Sequence, residues 1–376
     1  MPNRSDKKVI ARKSEEAWIN EYINLRPTCE RFCAKLKNLI EELLAKESVR
    51  YQVVEARAKT PDSFKDKLRR DGKSYEDPLR EMTDLCGLRI ILYNLNDLDE
   101  ACRIIDNEFK VDKSKSVDKR NILAVDQFGY LSVHKIVSLS VSRSKLTEWA
   151  SFKHLKAEIQ VRTILQHAWA SISHILQYKQ ESDIPYQFRR KLVRLSGLLE
   201  LADDQFNSLL TEESNLAREI KARIVNKDKD IPIDALSIRE YMEESQLVKD
   251  ILQLADVGGF HFDSEEPRFV TNLILVCDAI KIKTTNELEQ MLVPLKPKTK
   301  PFFLKFINTL RKRGFLNINV RPASILALLI VASHKDKFDR PLLQSTLGWH
   351  KGVIDALLIS RSNFWESNIN QKDKKQ

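Results

Sequence analysis

No apolar run in this chain approaches the roughly 20 residues that a membrane-spanning helix requires. The best, Ile325 to Ala332, is far too short. The N-terminal stretch MPNRSDKKVIARKSEE has no apolar h-region, so no signal peptide is expected and the chain reads as cytoplasmic, with no membrane partner. Its five cysteines include no CxxC pair. Cys29 and Cys33 are four apart, one face of a helix, which is a packing pattern, and reduced thiols are expected. Internal repeats and low-complexity blocks are absent, which leaves ordinary globular domains. The 376 residues suggest two or three of them. A hydrophobic fraction of 42% is enough for a packed core, and the 31% of charged residues suits a soluble chain. The net charge of +10 implies partners that carry phosphate, without separating nucleotides from RNA.

Residues 14 to 46 repeat Trp18, Ile23, Leu36, Ile40 and Leu43 at helical spacing. Val49 to Lys59 is rich in β-formers. Pro61-Asp62-Ser63 then opens a short basic helix, SFKDKLRR, with Asp62 as N-cap. GLRIILY (87–93) reads as a buried strand and 97–109 as a helix. KVDKSKSVDKRN reads as a loop, GYLSVHKIVSLSV as a strand. AEIQVRT is a strand running into the helix ILQHAWASISHILQYK, and Tyr186 to Val225 is a further helix. Strands and helices therefore alternate to about residue 180, and the remainder is mainly helical. Residues 226–234, charged and Pro-containing, read as a linker. The expected domains are 1–225 and a helical 235–376, whose apolar runs at 246–256, 269–281, 302–310 and 323–333 mark helices.

Four constellations could carry chemistry. Arg57 and Lys59 share one face of an extended segment, and Ser63 and Lys67 share one face of the next helix. Cations beside a helix N-terminus suit a polyphosphate; spacing alone favours a solvated charged face. Asp84 stands at the mouth of an apolar strand that also holds Arg89, so the two form either a site or a structural pair. On the strand around Phe128–His134, Tyr130, Ser132 and His134 face away from Leu131, Val133, Val137 and Leu139. A ring there offers a platform for a base, or ordinary cross-strand packing. In AEIQVRT, Ile159 and Val161 face the core while Glu158, Gln160 and Arg162 share the other face, as a site or an ion-pair ladder. His167 and His174 lie two turns apart near Trp169 and Tyr178, but no third soft ligand is spaced to complete a zinc site. Asp84 and Glu158, two carboxylates at strand mouths, offer the oxygens that Mg²⁺ takes together with phosphate.

In this order, RAKTPDSFKDK (57–67), DLCGLR (84–89), DQFGYLSVH (126–134) and EIQVRT…HAWASISHILQYK (158–179) resemble the synthetase domain of RelA/SpoT-type alarmone synthetases. RRKLVRLSGLLELADDQF (189–206) resembles the helical tail of single-domain members, so the resemblance covers about 25 to 215. It implies an α/β (α+β) nucleotidyltransferase-like synthetase domain, with a mixed sheet flanked by helices, and an ATP-dependent pyrophosphokinase. By resemblance, Arg57, Lys59, Ser63, Lys67 and Arg89 hold the ATP phosphates, and Asp84 and Glu158 bind Mg²⁺. Glu158 is the general base toward a ribose 3′-hydroxyl. Tyr130 stacks on the acceptor base, His134 and Gln160 contact the acceptor nucleotide, and Lys119 and Arg120 meet its phosphates. Two departures bear on the acceptor: Asp126 where many relatives have Lys, and Ser173 where they often have Glu. No His-Asp dipeptide is present and about 50 residues precede the site, so the hydrolase half of bifunctional members is not expected.

The motif match, Tyr130 above all, points to GDP or GTP as acceptor, giving (p)ppGpp. A second acceptor is the 3′-terminal adenosine of tRNA, as in toxic relatives, which would block translation. It is motivated by the net charge and by Leu295 to Gly314, with seven Lys or Arg and no acid. A third reading is a module that has lost catalysis. Residues 235 to 376 carry no motif that suggests a family; PASILALLIVASH and RPLLQSTLGWHKGVIDALL suggest a helix-turn-helix-like pack. They are expected to regulate, by inhibiting the synthetase or by sensing an antitoxin or a phage protein.

Overall fold

A computed structural model of the chain describes residues 13–70, 74–121, 132–176, 186–262, 270–315 and 318–361. The chain divides into two compact units, Met1–Thr211 and Glu212–Gln376.

The first unit opens with α1 (Glu15–Lys46), whose cap Ser14 accepts a hydrogen bond from the Ala17 amide and whose first turn carries Glu15 and Glu16, favourable at a helix N-terminus. Cys29, Phe32, Cys33, Leu36, Ile40 and Leu44 form its buried stripe. There follow β1 (Tyr51–Ala58), α2 (Pro61–Leu68), α3 (Pro78–Glu81), β2 (Cys86–Leu92), α4 (Leu95–Glu108), β3 (Phe109–Val111), β4 (Val117–Asp118), β5 (Val133–Leu139), α5 (Val141–Ser144), β6 (Ala157–Thr163), α6 (Ile164–Leu176) and α7 (Tyr186–Val225), of which the residues to Thr211 belong to this unit. The mixed sheet runs β1-β2-β6-β5-β3, with β4 beside β5. β2 and β6 are parallel, and the other pairs are antiparallel.

Alternation assigns the two faces of the sheet. Val54, Leu88, Ile90, Ile159, Val161, Val133 and Val137 belong to one core with the α1 stripe and with Leu98, Ala101 and Ile105 of α4. The opposite face carries the polar side chains. Two details differ from the sequence reading. The cap of α2 is Thr60, whose hydroxyl accepts from the Ser63 amide; Pro61 fills the first helical position and moves the start forward from Asp62. The segment read as a loop contributes β3 and β4, short strands that exist by pairing with β5.

In the second unit, α8 (Ala235–Glu244), α9 (Gln246–Gly258), α10 (Thr271–Ala279), α11 (Thr285–Leu292), α12 (Lys296–Lys312), α13 (Pro322–Ser333), α14 (Arg340–Ser345) and α15 (Lys351–Ser360) share one apolar core. A parallel pair, β7 (His261–Phe262) and β8 (Asn319–Val320), joins them. α13 is buried almost throughout, from Ala323 to Ser333. Phe302, Phe303, Phe306, Ile307 and Leu310 of α12 point inward, as their spacing predicts. Residues 226–234 fall within this unit; Ile233 bonds to Lys283 and Pro232 bridges to Thr284. No helix among the described residues is long and apolar enough to cross a membrane.

Candidate active site

The polar face of the sheet is organised in rows that cross the strands. One row places Arg57 opposite Gly87, Gly87 beside Glu158, and Glu158 opposite Ile136. The next places Glu55 opposite Arg89, Arg89 beside Gln160, and Gln160 opposite His134. Residues distant in sequence thus meet because register is fixed by the buried face. A cavity of about 540 Å³ opens over these rows, lined by Arg57, Lys59, Ser63, Asp84, Arg89 and Glu158 among others.

Lys59 and Ser63 are set at the turn between β1 and α2. The Lys59 carbonyl accepts from the Tyr22 hydroxyl at 2.6 Å, and its amide donates to Leu85 at 2.9 Å. Tyr22 itself is buried and stacked on Phe64 of α2, ring centroids 4.4 Å apart. This apolar clamp fixes the turn, and the Thr60 hydroxyl accepts from the Ser63 amide and donates to the Ser63 hydroxyl.

Asp84 sits just before β2. Its Oδ2 receives Lys59 Nζ at 2.9 Å and its Oδ1 lies 2.8 Å from Lys67 Nζ. Burial pushes its pKa up, but the two ammonium groups outweigh that and hold it below the usual carboxylate value. Glu158 faces the same cavity. Its Oε1 is 2.7 Å from His134 Nδ1 and 3.5 Å from Gln160 Nε2, whose amide oxygen accepts from Arg162. Burial and the negative charge of Asp84 raise the Glu158 pKa; the His134 contact outweighs both and leaves it lowered. Both carboxylates line the one cavity.

The structure therefore brings together Arg57, Lys59, Ser63, Lys67, Asp84, Arg89, His134, Glu158 and Gln160. Arg162, expected to share the open face, is 5% exposed and ends a ladder Arg162–Gln160–Glu158–His134. Arg120 is held by Asp118 and by Asp99 of α4, and Lys119 bonds through its amide to Ser132; neither lines the cavity. Tyr130 and Asp126 lie outside the described residues. His167 faces burial and the charges of Arg89 and Arg162, which lower its pKa and favour the neutral ring; His174 is exposed.

Glu55, Thr60 and Gly87 are among the lining residues that were not anticipated. Glu55 pairs with Arg89, and its signal was present: it is two residues before Arg57 on the same face of β1. Thr60 caps α2. Gly87 forms the floor between Arg57 and Glu158, where a Cβ would meet only the Arg57 carbonyl at 3.8 Å, so the absent side chain leaves the cavity open.

Chemically, the cavity joins cations able to spread over a polyphosphate with two carboxylates able to hold a hard cation or accept a proton. Among the described residues no three His, Cys, Asp or Glu side chains gather as a complete metal cage. Two oxygen donors beside cationic side chains suit Mg²⁺, which takes its other ligands from phosphate and water.

Residues 56–183 match the family model described as the region found in RelA / SpoT proteins. The GTP pyrophosphokinase YjbM of Bacillus subtilis (strain 168) is 29% identical over 202 residues, 49% of this chain and 89% of the relative. GTP pyrophosphokinase YwaC of the same organism is 28% identical over 163 residues, 42% of this chain and 72% of the relative. The crystal structure of the small alarmone synthetase 1 from Bacillus subtilis aligns with a TM-score of 0.43 at 26% identity, covering 53% of this chain and 99% of that chain. Residues 56–183 thus resemble the region found in RelA / SpoT proteins, in a chain similar to GTP pyrophosphokinases.

Proposed function

We propose that this protein transfers the β,γ-pyrophosphate of ATP to the 3′-hydroxyl of GDP or GTP, releasing AMP and making (p)ppGpp. The observation that carries the reading is the shared cavity: Asp84 and Glu158 face it together, bordered by Arg57, Lys59 and Arg89. Two curated relatives named GTP pyrophosphokinases support the guanine acceptor.

Asp84 and Glu158 would hold Mg²⁺, which when bound neutralises charge on the phosphates. In the present arrangement both oxygens of Asp84 are engaged by lysines. On substrate binding, Lys59 and Lys67 would turn to phosphate oxygens, joined by Arg57, Arg89 and the Ser63 hydroxyl. Positioning and charge compensation supply most of the rate in such transfers. Glu158 would take the proton as the 3′-oxygen bonds to the β-phosphorus and the bond to the α-phosphate oxygen breaks. His134 and Gln160 orient that carboxylate.

A second acceptor, the 3′-terminal adenosine of tRNA, is favoured by one observation. α12 buries its phenylalanines while Lys300, Arg311 and Lys312 remain exposed, a surface suited to RNA phosphate. In that reading the second unit regulates a toxin, in response to an antitoxin or a phage protein. The test is a panel of GDP, GTP, adenine nucleotides and deacylated tRNA with γ-³²P-labelled ATP. Labelled guanine nucleotide supports the first reading, labelled tRNA the second, and label in neither defeats both.

A further inference from the structure

Charge at the cavity is more balanced than a polyphosphate site needs. Among the described lining residues, Arg57, Lys59 and Arg89 are matched by Glu55, Asp84 and Glu158. Asp84 and Glu158 have roles in the reading above; Glu55 has none. It stands on β1, opposite Arg89 in the antiparallel register with β2. Its Oε2 accepts from Arg89 Nη1 at 3.0 Å, with the two side chains 52% and 31% exposed. Arg89 Nε is buried with no hydrogen-bond partner among the described residues, so the guanidinium has donor capacity left over.

We propose that Glu55 is a counter-ion latch: it holds Arg89 in the nucleotide-free pocket and limits affinity for polyphosphate until the ligand displaces it. The inference rests on the ATP reading of the cavity. A half-exposed ion pair is weak, so an incoming triphosphate can compete for the guanidinium. Arg89 freed of its counter-ion attracts phosphate, and that attraction rises with ligand charge. Glu55 is therefore a residue that sets affinity and charge preference, apart from the groups that react.

The test is calorimetric titration of the full chain, with Mg²⁺, against a non-hydrolysable ATP analogue, ADP, AMP and adenosine, for wild type, Glu55→Gln, Glu55→Asp, Arg89→Met and the Glu55→Gln/Arg89→Met double variant. Glu55→Gln is expected to bind the ATP analogue about three- to tenfold more tightly. The gain should shrink from ATP analogue to ADP to AMP, vanish for adenosine, and fall as salt is raised. Glu55→Asp, which keeps the charge, should show no gain, and the Arg89→Met background should abolish it. Equal or weaker binding by Glu55→Gln, with an unchanged melting temperature and with wild type binding the analogue, overturns the latch and spares the reading of the cavity. A gain that persists without Arg89 also overturns it. Failure of wild type itself to bind the analogue overturns both.

Discussion

Replacing Asp84 by Asn tests the electrostatic core of the site without reference to turnover. Lys59 and Lys67 approach this carboxylate at 2.9 and 2.8 Å, with side chains 16% and 20% exposed. Breaking a fully buried pair costs about 3–5 kcal/mol and an exposed one about 0–1. This arrangement lies between them, and about 2 kcal/mol is expected, partly because two ammonium groups are left facing each other. For a unit of this size that is a melting-temperature loss of about 4–8 °C. The sign of the pH dependence follows from the direction of the shift. The folded-state pKa of Asp84 is lowered, so its stabilisation is present above the unfolded value near 3.9 and is lost as pH falls through the folded value. The gap between wild type and Asp84→Asn should therefore be level from about pH 8 to pH 5 and close in more acid solution. Inorganic tripolyphosphate should raise the melting temperature of the variant more than that of wild type, because it supplies the missing anion to both lysines. Scanning calorimetry across pH, with and without tripolyphosphate, is the assay. Equal melting temperatures at neutral pH, or a gap that ignores pH, would refute the reasoning.

Other expectations concern neighbouring groups. Gly87→Leu should keep the fold, since a Cβ there meets only the Arg57 carbonyl at 3.8 Å, yet fill the cavity floor and abolish nucleotide binding in titration calorimetry, whereas Gly87→Ala binds. Arg162→Met removes the end of the ladder that orients Gln160 and Glu158; kcat should fall at least about tenfold with KM little changed, measured by AMP release. Asp203 of α7 accepts the Thr163 hydroxyl at 2.7 Å, and burial pushes its pKa up to about 6. Its contribution is fullest below the unfolded value and is lost as pH rises through 6. Wild type should thus lose roughly 2–3 kcal/mol relative to Asp203→Asn between about pH 4 and pH 6.5, measured by urea unfolding.

Much of this architecture was legible where periodicity was long and one face was buried. Ala157–Thr163 and Tyr186–Val225 have the bounds that alternation and helical spacing gave them. The same alternation put Glu158 and Gln160 on the open face. It failed at Arg162, which the pattern also puts there but which is buried beneath its own ladder. β3 and β4 are too short and polar to announce themselves; a partner strand makes them. The resemblance named the acids and cations of the site, but not their pairing. That Lys67 of α2 would reach Asp84, or Glu55 would reach Arg89, depends on a turn and a strand register that no local pattern encodes. Gly87 was read only as the start of a strand, because an open floor shows itself once Arg57 and Glu158 are placed on either side.

The central claim is that Glu158, beside Asp84 in one cavity, takes the proton from the attacking hydroxyl. It is tested most directly by following AMP and ³²P-labelled acceptor together, from γ-labelled ATP and GDP, in wild type and Glu158→Gln. The account predicts equal amounts of AMP and labelled guanine nucleotide from wild type, and a rate about 10²–10⁴-fold lower from the variant. A Glu158→Gln protein that turns over like its parent would contradict it.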